Sequence, residues 1–138
     1  MLALLEKESD GLRELKATSD PSIRNHLALN LAQTREPEVL EILIELIKRP
    51  DLKDSRGTLV HCLGFYDCKP HFNLLVELVT TGNWEVAHEA YTLASAINKI
   101  SGPQAETAYA TLTRYSEKHE IEEWRKDLMM KLLRLFDN

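Results

Sequence analysis

Apolar residues recur along this chain three or four positions apart, and nowhere do they sustain the alternation of a half-buried strand. The spacing predicts helices near 2–17, 21–34, 37–48, 54–66, 70–81, 84–100, 103–118 and 120–136, the first interrupted around Asp10-Gly11. Prolines punctuate the pattern. Pro21, Pro37, Pro70 and Pro103 stand where helices begin, and a proline in a first turn sacrifices no helical hydrogen bond. Asp20 and Asn83 are placed as N-caps, and Ser101 with Gln104 has the form of a capping box. Gly82 and Gly102 are assigned to helix C-termini, in the left-handed conformation that favours glycine. Lys48-Arg49 before Pro50 suits the negative end of a helix dipole.

The pattern also repeats. Residues 23–47 and 55–79 are two copies set 32 positions apart, with Arg24, Leu27, Leu31, Leu43, Glu45 and Ile47 matching Arg56, Leu59, Leu63, Leu75, Glu77 and Val79. A third pair, 84–100 and 103–118, is a poorer copy in which Ala87 stands opposite Arg56. A helix pair of this kind cannot bury its apolar face alone, so it must stack on neighbours. The last helix gathers Trp124, Leu128, Met129, Leu132, Leu133 and Phe136 on one face and reads as a terminal cap. The first, with Leu2, Leu5, Leu12 and Leu15, reads as the opposite cap.

Composition narrows the class without naming a task. The chain has 138 residues, 43% of them hydrophobic and 28% charged, as in an ordinary globular domain. Its formal charge of −5 disfavours nonspecific attachment to nucleic acid or anionic membrane and favours a basic partner. The first residues lack a basic n-region, and no apolar run approaches a membrane span, so a cytoplasmic location is expected. Cys62 is then expected as a free thiol in the core and Cys68 as a loop residue.

Asp20-Pro21 followed by Ile23-Arg24, Leu27-Ala28 and Leu31-Ala32 resembles the first helix of a HEAT repeat, and Ser55-Arg56, Leu59-Val60 and Leu63-Gly64 repeat it. Val86-Ala87-His88-Glu89-Ala90 repeats it again without the arginine. The resemblance covers about residues 20–118. It implies an all-α fold: one domain, 1–138, forming a short right-handed α-solenoid of about three helix pairs (20–50, 51–82, 83–118) between caps at 1–19 and 119–138. Gly64 matches the family's small residue at a close helix crossing. HEAT-like proteins are mostly scaffolds for macromolecular partners. The acidic chain and the run Asp67–Ala90 are also similar to small bacterial immunity proteins of HEAT-like type, which bind and neutralise a toxin domain.

The expected binding face follows from the repeat. Glu38, Glu41, Glu45 and Lys48 share one side of their helix, and the 32-residue shift sets Asn73 beside Glu41 and Glu77 beside Glu45. Such a ladder would receive the basic side chains of a toxin such as a nuclease, or would simply be a solvated face. Tyr66 and His71 flank a loop and are added as contact candidates, whereas Phe72 and Trp84 are expected to pack. Two other readings stay open: a HEAT-like enzyme or lyase- or hydroxylase-type accessory, and a nucleic-acid binder. The former is weakened by its histidines. His88-Glu89 is similar to the metal dipeptides of deoxyhypusine hydroxylase, but Asn25-His26 and Gly57-Thr58 occupy the matching positions and His119-Glu120 is out of phase. Glu85 and His88 have the spacing of a carboxylate-bridged metal helix, which needs inward glutamates from partner helices. His61, Cys62, Cys68 and His71 match no closed zinc spacing. No catalytic residue, metal or cofactor is expected.

Overall fold

The computed structural model describes residues 2–118 and 120–136, and the side chains of 10–117 and 120–136. Leu2, Leu5 and His119 therefore lie outside the described side chains. Eight α-helices appear among the described residues: α1 (Leu2–Ala17), α2 (Pro21–Ala32), α3 (Pro37–Lys48), α4 (Gly57–Cys62), α5 (Phe72–Thr81), α6 (Trp84–Ser95), α7 (Gly102–Lys118) and α8 (Glu123–Phe136). The described residues contain no strand. None of these helices is long and apolar enough to cross a membrane. The chain divides into two compact units, 1–66 and 67–138.

In the first unit α2 packs on α1, α3 and α4. Its start follows from Asp20, whose carboxylate accepts from the Ser22 and Ile23 amides at 2.9 and 3.4 Å. Pro21 then fills the first position. The helix ends at Ala32, two residues short of expectation, because Thr34 turns its hydroxyl onto the Leu31 carbonyl at 2.6 Å. Arg35 completes the turn in the left-handed region, at φ 58°. In α3, Val39, Ile42, Leu43, Leu46 and Ile47 are buried, each worth about 1.5–3 kcal/mol relative to exposure. Leu15 of α1 is fully buried, Leu12 half-buried, and the helix runs unbroken through Asp10-Gly11. A Cβ at Gly11 would meet a Leu31 methyl at 3.5 Å, so the glycine sits in ordinary contact with α2.

The α4 segment departs most from expectation. Only Gly57–Cys62 is α-helical, preceded by a 3₁₀ turn at Pro50–Leu52 and followed by another at Leu63–Phe65. Gly64 is exposed in that second turn and is not a helix-crossing residue, whereas Gly57 is buried. Cys62 lies in the core as expected, and burial pushes its thiol up to about 11.

In the second unit α5 packs against α6, α7 and α8, and α8 also covers α6 and α7. Pro70 falls in a 3₁₀ turn, Lys69–His71, that leads into α5. Cys68 belongs to the preceding loop, yet it is 8% exposed and its thiol too is pushed up to about 11 by burial. Gly82 ends α5 at φ −75°, so its left-handed assignment is corrected. Space explains it instead: a Cβ there would lie 2.5 Å from Val86 Cγ1 and 2.7 Å from the Leu78 carbonyl oxygen. Gly102 opens α7 and does not close α6, which stops at Ser95. The Ser95 hydroxyl bonds back to the Thr92 carbonyl, and Asn98 is a poor interior helix residue. The capping box forms as expected. The Ser101 amide donates to Gln104 Oε1 at 3.0 Å, and the Gln104 amide to Ser101 Oγ at 3.1 Å. Gln104 Nε2 also donates to the Lys69 carbonyl, tying the start of α7 to the turn before α5. Within α8, Leu128, Met129 and Leu132 are buried while Trp124, Leu133 and Phe136 are half-buried, matching the expected face. The helix starts at Glu123, three residues late.

Three arginines join the elements within each unit. Arg24 Nη2 donates to the Thr18 carbonyl beyond α1 at 2.7 Å, and Arg56 Nη1 to the Ile47 carbonyl in the last turn of α3 at 2.8 Å. The last carbonyls of a helix have no helical donor, so a buried cation there meets a need. Val79 occupies the position equivalent to Ile47, but Ala87 stands where the next arginine would be. Arg125 of α8 supplies the bond, Nη1 to the Val79 carbonyl at 2.8 Å.

Candidate functional site

On α3 the apolar and acidic positions separate cleanly. Glu38, Glu41, Glu45 and Lys48 are all exposed, opposite the buried face. Good helix formers at three- and four-residue spacing place these carboxylates along one side of a supported helix. At the N-terminal end of α3, the Tyr66 hydroxyl donates to the Glu36 carbonyl at 3.0 Å. Burial, with smaller contributions from Cys62 and Glu36, raises the phenol above its ordinary range. Tyr66 is thus half-buried and engaged in holding the start of α3, not projecting as an open contact.

The other half of the expected ladder lies on α5 in the second unit. Glu77 is exposed and Asn73, one turn earlier, is half-buried with its Oδ1 enclosed and lacking a hydrogen-bond partner. The Glu77 carbonyl accepts from the hydroxyls of Thr80 and Thr81, fixing the end of the helix. His71 is half-buried in the turn before α5, and Phe72 is buried, edge-on to Phe136 at 6.1 Å.

Trp84 overturns its expectation. It is 59% exposed and does not staple the helix start. Asn83 does cap α6, accepting from the Val86 amide at 2.9 Å, and this sets Trp84 at the first helical position. His88, one turn on, stacks against the indole with ring centroids 3.9 Å apart. The His88 Nδ1 donates to the Trp84 carbonyl at 2.7 Å, which locks the imidazole in that plane. Trp124 of α8 lies next, 5.5 Å from His88, and the Arg125 guanidinium carbon is 4.5 Å from the Trp124 ring. Arg125 is itself fixed by Glu122 at 3.0 and 2.9 Å and by the Val79 carbonyl. That pairing holds the Glu122 carboxyl well down, at about 2. The i, i+4 spacing of Trp84 and His88 was visible in the sequence; the approach of Trp124 is a tertiary contact with no local signal.

Between α7 and α8 a mainly apolar pocket of about 340 Å³ is lined by Leu112, Ile121, Met129, Met130 and Leu133, with Ser116 and Lys126 at its wall. No group of three or more His, Cys, Asp or Glu is placed to hold a metal ion among the described residues. His88, which shares α6 with Glu85, is engaged with Trp84 through one ring face and its Nδ1.

Comparison with curated proteins and with solved structures gave no match. A family profile described as HEAT repeats matches residues 9–94. The matched stretch contains both arginine-led copies and extends into α6 as far as Ala94, and it spans more than half of the 138 residues. The chain belongs to the HEAT-repeat family.

Proposed function

We propose that this chain is a noncatalytic protein-binding module, and most concretely an immunity protein that acts in the cytoplasm by binding and neutralising a toxin domain with a basic surface, such as a nuclease. HEAT repeats generally mediate protein–protein interaction. In this reading the helix pairs form about three repeats of a right-handed α-solenoid between two caps, and no cofactor takes part. The observation that carries it is the exposed row of Glu38, Glu41 and Glu45 on α3, backed by a fully apolar buried face. Rigid support means that little backbone freedom is lost on docking, and the row complements lysine or arginine on the partner. Glu77 on α5 adds to the same charge preference, and the formal charge of −5 extends it to long range.

The test is protection. A toxin domain encoded beside this chain is expressed in a sensitive host with and without it, and the purified pair is measured for binding. Growth should be restored by the chain. Reversal of Glu41, Glu45 and Glu77 together to lysine should slow association by roughly 10–100-fold at low salt while helical content and melting stay unchanged. Unchanged binding by that folded variant removes this face from the interface. A chain that neither binds nor protects overturns the immunity reading.

A further inference from the structure

A large aromatic side chain held open to solvent needs a reason, because singly exposed apolar residues are common but pre-ordered ones are not. Trp84 has one indole face covered by His88 and is otherwise 59% exposed. The Asn83 cap and the His88 bond to the Trp84 carbonyl fix the backbone there, and the indole rests on His88, which Trp124 flanks on α8. Trp124 is in turn backed by Arg125, which is 5% exposed and anchored by three hydrogen bonds to Glu122 and Val79. The stack thus belongs to the framework of the second unit, with Trp84 exposed at its outer end.

We infer that the open face of Trp84, on the Trp84–His88–Trp124 stack, is a docking surface for arginine side chains of the protein partner; this rests on the protein-binding reading above. An indole face carries negative quadrupole potential, and a planar guanidinium can lie flat on it. Charge points the same way. Glu85 follows Trp84 and is exposed; Glu122 and Glu123 precede Trp124, the first paired with Arg125 at 2.9 Å and the second, nearly fully exposed, with Lys126 at 3.5 Å. These first-turn carboxylates offset the positive ends of α6 and α8, which would otherwise repel a cation. Arginine is favoured over lysine because it is more weakly hydrated and stacks face to face.

The test follows the Trp84 indole N–H resonance of the full chain during titration with an arginine-rich peptide and with the same peptide carrying citrulline, a neutral isostere. The arginine peptide should shift this resonance, and the citrulline peptide should leave it in place. Trp84→Ala should weaken arginine-peptide binding on the order of tenfold, with Trp84→Phe intermediate. Equal shifts from both peptides, or none from either, overturn the inference. So does a resonance that moves with protein concentration alone, which marks a contact between copies. Glu41, Glu45 and Glu77 reversed to lysine should weaken the peptide at low salt but leave the Trp84 shift at saturation intact, so failure of the acidic face and failure of the aromatic surface are read separately.

Discussion

Arg125 carries more of the second unit's interior than any other polar side chain described. It closes the Val79 carbonyl, pairs with Glu122 and backs the Trp124 ring. Arg125→Ala leaves a buried carbonyl without a donor and should cost about 1–3 kcal/mol, read from urea unfolding followed by circular dichroism. The pairing also writes a pH dependence. Glu122 titrates near 2 when folded, against the ordinary 4.5 expected when unfolded, so the folded state favours the carboxylate. Its contribution is complete above about pH 5 and fades as pH falls from about 4.5 to 2. Because the Glu122 side chain is 48% exposed, solvent screening holds that contribution to about 1 kcal/mol or less. Glu122→Gln should therefore separate from the parent in unfolding midpoint at pH 6 and converge with it near pH 2. Arg24 is the contrasting case: it is 1% exposed, and its Nε and Nη1 find no partner although Nη2 serves Thr18. Its presence opposite Arg56 was plain from the repeat, whereas its burial was not.

The helices differ in how far local chemistry decides them. Gly82→Ala should destabilise the α5–α6 junction by about 1–3 kcal/mol, since its Cβ would collide with Val86 and the Leu78 carbonyl. Gly102→Ala, with nothing within 4 Å of the added carbon, should be neutral or raise stability by up to about 1 kcal/mol. Thermal melting of the two variants should move in opposite directions or show only Gly82→Ala shifted downward. Caps were legible for the same reason that these glycines are separable. Asp20, Asn83 and Ser101 act on amides two or three residues away, within reach of a sequence pattern. The shortening of α4 was not legible. Its apolar spacing continues through Leu63, but Gly64 ends the α-geometry in a 3₁₀ turn, and Arg56 before it is committed to the Ile47 carbonyl nine residues back. Trp84 was misjudged because a first-turn tryptophan can pack either way, and only the position of Trp124 decides it.

For the molecule as a whole, charge is the property with the longest reach. A chain of formal charge −5 meeting a basic partner should associate more slowly as salt rises from 10 to 500 mM, while dissociation changes little; stopped-flow mixing with the proposed basic partner reads both rates. The all-helical class and the repeated arginine were readable from spacing, as were the glutamates of α3, because each follows from periodicity alone. The aromatic stack and the donor to Val79 were not, since both depend on α8 meeting α5 and α6. That dependence has a consequence for synthesis. Arg24 and Arg56 reach carbonyls six and nine residues earlier, so those closures can form as soon as the segment leaves the ribosome. The Val79 carbonyl waits for a residue 46 positions later. During translation the first unit can mature while the second still exposes its α5 terminus, and a nascent chain arrested before Arg125 should remain open to proteases there.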